Sequence, residues 1–159
     1  MPLKASVGAV LAGVLIVGAA VVPSANAASD DACSLLTQAQ VSAAVSISVG
    51  AGVVCDSNVQ EDLHWNETNV VAQAANFVTL MLQGLDAFQA GKAAPVKTIV
   101  VTPVSGIGDD AYYLAVGTNV GLIVKKGNVA FKIAVYGDIP IEKKESMEKT
   151  LAQQVVSQL

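Results

Sequence analysis

His64 is the only histidine in a chain of 159 residues, so any catalytic dyad or triad that needs an imidazole base has to be built on it. A nucleophile to go with it is hard to find. There is no Gly-x-Ser-x-Gly elbow, and the two cysteines, Cys33 and Cys55, have a simpler explanation given below. Cys33, Cys55 and His64 could offer three zinc ligands, but no C-x-x-C or H-x-x-x-H spacing is present. Asp56, Glu61 and Asp62 could offer oxygens to calcium, yet the D-x-D-x-D-G order of a calcium loop is missing. Gly106-Ile107-Gly108 has the look of a phosphate loop without its third glycine, its Lys-Ser/Thr ending or its helix, and Asp109-Asp110 follow where they would repel phosphate. As paired carboxylates for acid/base work, those two aspartates would project to opposite faces of a strand. Asn66-Glu67-Thr68 is a glycosylation sequon, relevant only in a eukaryotic host. The expectation is a non-catalytic chain with no cofactor and no metal. An enzyme with a site around His64, Trp65 and Asp109 is the alternative.

The charge points the same way. All nine basic residues are lysines, and the chain has no arginine, the usual bidentate partner of phosphate. Nucleic acid is therefore not an expected partner. The first half is acidic. Between Ala28 and Gly91 there are seven acids and no lysine, whereas eight lysines and six acids follow from Lys92 onward. An inhibitor-like factor that presents this acidic half to a cationic partner is a further alternative.

The N-terminus explains the cysteines. Lys4 is the only charge before Asp30, Val7 to Val22 carries no polar side chain, Pro23-Ser24 breaks that run, and Ala25-Asn26-Ala27 supplies the small residues read by a signal peptidase. The run of 16 residues spans about 24 Å as a helix, short of the ~30 Å hydrocarbon core, so a cleaved signal fits better than a retained anchor. Lipidation is discounted, because Cys33 follows Ser-Asp-Asp-Ala and not a small-residue box. Residues 1–27 are expected to be a signal peptide and 28–159 a single domain, secreted or periplasmic, with no stable membrane insertion after cleavage. With Lys4 gone the mature charge is about −5. An even cysteine count in an exported protein suggests one disulfide, Cys33 to Cys55, with free thiols as the alternative. It would close a loop of 22 residues, worth roughly 3 kcal/mol.

The elements that would position any site follow from periodicity. Thr37 and Gln40 form a capping box, with Leu36 a staple onto Val41, and start a helix over Gln38 to about Val45. Residues 53–68 look irregular, with Trp65 among them. Phe77–Gln83 is apolar on both faces and reads as a central strand. Leu85–Ala94 reads as a short helix with Asp86 able to cap it and Phe88 inward. Lys97–Val104, Ala111–Val116, Val120–Lys125 and Val129–Tyr136 read as strands, the last two joined at Gly127. Asp138 and Pro140 start a C-terminal helix in which Met147, Leu151, Val155 and Leu159 recur every four residues, with Lys and Glu on the other face. The fold class is α+β: an antiparallel sheet of about five strands flanked by an N-terminal helix, a short middle helix and a docked C-terminal helix.

Three segments together carry a likeness: Ala32-Cys33-Ser34-Leu35-Leu36-Thr37, Ser105-Gly106-Ile107-Gly108-Asp109-Asp110-Ala111-Tyr112-Tyr113, and Val124-Lys125-Lys126-Gly127-Asn128. They resemble a group of small bacterial exported proteins and lipoproteins of unknown function, in which a Cys-x-Leu-Leu-Thr helix start precedes a Gly-x-Gly-Asp-[Asp/Glu]-Ala strand start. The resemblance covers most of the mature chain and implies a cell-envelope or secreted domain with a curved antiparallel sheet flanked by helices. Relatives carry a Cys two residues before the tryptophan, where this chain has Leu63. No common activity comes with the resemblance. A sheet apolar on both faces with few helices to cover it suggests binding of a small apolar ligand or a protein partner. Phe77, Met81, Tyr113 and Trp65 are the candidate contacts.

Intact-mass analysis of the exported protein is expected to show a chain starting at Ala28 in which neither cysteine alkylates until reductant is added. A chain starting at Met1 would contradict the signal, and two reactive thiols would contradict the disulfide.

Overall fold

The computed structural model describes residues 32–54, 62–66, 77–93 and 96–159, apart from the side chains of Cys33, Val54, Asp62, His64 and Asn66. The expected signal peptide, the Cys33–Cys55 disulfide, the oxygen set of Asp56, Glu61 and Asp62, and the sequon at Asn66 lie wholly or partly outside the described residues.

The chain folds as an α+β unit in which helices α1 (Ala32–Leu35), α2 (Gln38–Val45), α3 (Leu85–Ala93) and α4 (Ile141–Val156) flank one antiparallel sheet. The five expected strands are present as β3 (Phe77–Gln83), β4 (Val100–Val104), β5 (Asp110–Val116), β6 (Asn119–Lys126) and β7 (Val129–Val135). Two more, β1 (Val53–Val54) and β2 (Asp62–Asn66), come from the stretch read as irregular. In β2 only Leu63 and Trp65 are apolar, but they alternate with polar residues and both turn into the core, 3% and 1% exposed. The strand order is β1-β2-β3-β7-β6-β5-β4. Two meanders are thus joined by α3, and β7 returns to lie beside β3, which places β3 inside the sheet as its two apolar faces require.

The helix signals act as their chemistry dictates. The Thr37 amide donates to Gln40 Oε1 at 2.8 Å, and the Gln40 amide donates to Thr37 Oγ1 at 3.3 Å, which closes the capping box. Leu36 and Val41 both enter the main core. Asp86 lies within the first turn of α3, where its charge suits the helix N-terminus, and is not its cap. The strand expected from Lys97 begins only at Val100, because Lys97 and Thr98 form a turn closed by the Ile99 amide on the Val96 carbonyl.

One face of the sheet is sealed by α1, α2 and α4. Leu80, Leu122, Phe131 and Ile133 from the strands meet Val41, Leu151 and Val155 from the helices, none of them more than marginally exposed. The expected apolar stripe of α4 is there, but its last member, Leu159, lies beyond the helix end and is only partly buried. The expectation that every Lys and Glu of this helix faces solvent is wrong for two residues. Lys144 and Glu148 lie on the buried side, 2% and 0% exposed. Their positions one turn apart place them on the same stripe as Leu151 and Val155, and each finds a backbone partner. Lys144 Nζ donates to the Thr118 carbonyl at 3.1 Å, and the Val135 amide donates to Glu148 Oε1 at 2.9 Å. Among the described residues, no helix is long and apolar enough to cross a membrane.

Burying Met147, Leu151 and Val155 contributes about 1.5–3 kcal/mol each. Leu151→Asp removes one of these and buries a charge, so the variant is expected to lose its cooperative thermal transition. Melting within a few degrees of wild type would contradict the docking of α4.

Candidate binding face

The sheet is seven strands wide, six gaps of about 4.8 Å, or roughly 29 Å. A helix with its side chains is about 10–12 Å across and covers two or three strands. On the face opposite the main core the described residues supply one helix, α3. Its Phe88, fully buried, packs with Tyr112 of β5, Ile123 of β6 and Ala130 of β7. The Tyr112 hydroxyl donates to the Phe88 carbonyl at 2.9 Å, and the two rings tilt against each other with centroids 5.2 Å apart. Gly91 permits this approach, because a Cβ there would fall 2.4 Å from the Tyr112 hydroxyl. Helix α3 therefore serves the β5–β6–β7 side, and among the described residues the β3 side of the same face is left to its own side chains.

Those side chains are Phe77, Thr79, Met81 and Gln83 on β3, with Ala134 and Tyr136 beside them on and just past the end of β7. The register sets Thr79 against Ala134 and Met81 against Lys132. The Tyr136 amide donates to the Phe77 carbonyl at 2.9 Å, and the two rings stack with centroids 4.2 Å apart and planes 8° from parallel. Phe77, Met81 and Tyr136 are all half-buried. Around the end of β3, Phe77 also borders a shallow apolar cleft lined by Val45, Ile47, Val49, Val78, Val135 and Ile139, with about 0 Å³ of enclosed space, so it does not hold even one water molecule.

Strand alternation separates the four residues picked out as candidate contacts. Phe77 and Met81 lie on the α3 face, whereas Trp65 and Tyr113 lie on the other. Trp65 is enclosed in the main core. Tyr113 packs against the same core, and its hydroxyl donates to the Glu145 carbonyl at 2.8 Å, tying β5 to α4. Burial, reinforced by the charges of Glu145 and Glu148, pushes its hydroxyl up to about 12. Tyr136 enters the group in their place. Its only sequence signal is its parity with Lys132 and Ala134, which says nothing about Phe77 until β7 is known to pair with β3.

The edges of the sheet are poor docking sites. β1 has two residues, and β4 carries Pro103, which has no amide to donate.

The Gly-x-Gly-Asp-Asp segment is a structural clasp. Ile107 plugs into the main core, 3% exposed. Gly108 has φ +58°, and a Cβ there would sit 2.5 Å from the Lys125 carbonyl oxygen, so no larger residue fits without displacing backbone. The Asp109 amide donates to that same carbonyl at 2.8 Å. Asp109 Oδ2 accepts the Gly127 amide at 2.7 Å, and Oδ1 accepts Lys126 Nζ at 3.2 Å. The Gly127 amide, then Lys126, holds the Asp109 carboxyl below its ordinary range. Asp110 forms an ion pair with Lys92 of α3. Both acids are thus taken up in fastening the hairpin and the helix.

His64 pairs through its backbone with Val53 and Thr79 on β2. Asp109 precedes β5, four strands from β2 and so roughly 19 Å across the sheet. His64, Trp65 and Asp109 therefore do not share a site. Among the described residues, no three His, Cys, Asp or Glu side chains gather where they could hold a metal ion.

In comparisons with known proteins, the chain matches no family model, no curated protein and no solved structure.

Proposed function

We propose that this protein is an exported, non-catalytic domain that binds a protein partner in the bacterial cell envelope, and that it does so through the β3 side of the α3 face. The stacked Phe77–Tyr136 pair carries this reading. Two aromatic rings held parallel by a backbone hydrogen bond between their own residues form a rigid, half-exposed apolar platform. Such anchors lose little conformational freedom on binding and dominate protein interfaces. Met81 supplies an adaptable apolar neighbour, and Thr79 and Lys132 give the platform polar flanks. The alternative of a small apolar ligand has only the shallow cleft beside Phe77, which encloses no space for a bound molecule and so favours an extended partner surface.

A photo-crosslinking residue placed at Met81 is expected to capture one discrete protein in cells of the native host, while the same residue at the exposed Gln153 of α4 captures none. Phe77→Ser with Tyr136→Ser should weaken that capture at least about tenfold, in keeping with the loss of aromatic anchors. Equal labelling from both positions, or a double variant that labels as wild type, would contradict the proposed face. A low-mass adduct at Met81 would favour the small ligand.

A further inference from the structure

We propose that Glu148 is a proton-operated latch: helix α4 is held against the sheet while this carboxyl is neutral, and loosens when the carboxyl releases its proton to solvent.

The geometry begins with the end of the β6–β7 ladder. The two strands pair from Lys126–Val129 to Leu122–Ile133 and then diverge. The Tyr136 amide points to β3, where it donates to the Phe77 carbonyl. One residue earlier, the Val135 amide points the other way, toward β6, where the ladder has already ended. An amide stranded inside the core is costly, and Glu148 reaches down from α4 to accept it at 2.9 Å. The carboxyl that does so is fully buried, and its second oxygen, Oε2, has no hydrogen-bond partner. Met147, Leu151, Ala152 and Val155 of the same helix are buried with it.

Among the described residues, three charged groups act on it, Glu145, Lys132 and Lys144, and β6 and α2, which also pack on α4, add none to these. On α4, Lys144 Nζ is engaged by the Thr118 carbonyl, and Glu145 opposes a second negative charge. From β7, Lys132 acts on it only through space. From β5, the Tyr113 hydroxyl is already donated to the Glu145 carbonyl. A neutral carboxyl accepts the Val135 amide and leaves one O–H unpaired, a modest cost. A carboxylate would leave a charged oxygen buried and unpartnered, a far larger one, and hydrating it requires α4 to lift.

Burial, with a smaller contribution from Glu145, pushes Glu148 up to about 8 against the opposing Val135 amide, Lys132 and Lys144. The sign follows. A carboxyl raised above its ordinary 4.5 contributes its stability in full below that value, and the contribution is lost as pH rises through about 8. Docking of α4 therefore weakens between about pH 4.5 and 8.

Native-state amide exchange of the full chain, corrected for intrinsic rates, tests this between pH 5 and pH 9. In wild type, protection of the α4 amides and of Val135 should fall with rising pH, approaching about tenfold per unit in the middle of the window. Glu148→Gln keeps a neutral acceptor for Val135 and should flatten that dependence while retaining the fold. His64 also ordinarily titrates in this range, as does any free thiol at Cys33 or Cys55, and both His64→Asn and the chain with its thiols alkylated should keep the wild-type profile. A wild-type profile without pH dependence, a Glu148→Gln profile parallel to wild type, or a flattened profile in His64→Asn or in the alkylated chain would each overturn the latch.

Discussion

The hydrogen bond from the Val135 amide to the Glu148 carboxyl bridges the point where the sheet comes apart beneath its main helix. A seven-stranded twisted sheet cannot keep every ladder closed to its ends, and here β6 and β7 part after Leu122 and Ile133. The stranded amide could have been left to water or covered by an apolar side chain at a cost of about 1–3 kcal/mol. Instead α4 supplies an acceptor from within its own buried stripe. The rest of the docking is arranged around that contact. Leu151 and Val155 fill the core below it, Lys144 reaches the β5–β6 turn through the Thr118 carbonyl, and Tyr113 fastens the Glu145 carbonyl from β5. Helix α4 is thus both the lid of the main core and the repair of its open seam.

The two faces of the sheet are served unequally. Three helices seal one, and among the described residues a single short helix sits on the other. Helix α3 is fixed over β5–β7 by Phe88, by the Tyr112 hydroxyl and by the Lys92–Asp110 ion pair. It is nine residues long and one helix wide, so among the described residues the β3 side keeps a surface of its own. The Phe77–Tyr136 stack occupies that surface. Its rigidity comes from the opposite side of the same strand end: Tyr136 is held to Phe77 through its amide while its neighbour Val135 is held to Glu148. The proposed binding face and the proposed latch are therefore neighbours along two consecutive residues of one chain segment.

Much of this fold was legible in residue order, for local reasons. The Thr37–Gln40 box, the Gly127 hairpin and the four-residue spacing of Met147, Leu151 and Val155 each depend on contacts a few residues apart. In β2 two apolar residues in five are a thin signal, and Leu63 and Trp65 are recognisable as a core pair only against Leu80 and Val78 of the neighbouring strand. Charge ordinarily marks the solvent side of a helix, which makes Lys144 and Glu148 look like surface residues, whereas their spacing with Leu151 and Val155 places them on the buried stripe. The candidate contacts divided between faces for a nonlocal reason. Whether Phe77 and Tyr113 share a face depends on the register of β3 with β7, β7 with β6 and β6 with β5, and no single strand carries that information. The same register brings Tyr136 to Phe77. Within the Gly-x-Gly-Asp-Asp segment, Gly108 and Asp109 clasp the β6–β7 hairpin.

The ionisation of Glu148 tests this account most directly. A carboxyl ¹³C titration by NMR, with Glu148→Gln to assign the resonance, is predicted to show this side chain neutral through pH 6 and titrating near the value of about 8 that its burial imposes. Titration near the ordinary carboxylate value of 4.5, with α4 still docked, would contradict it.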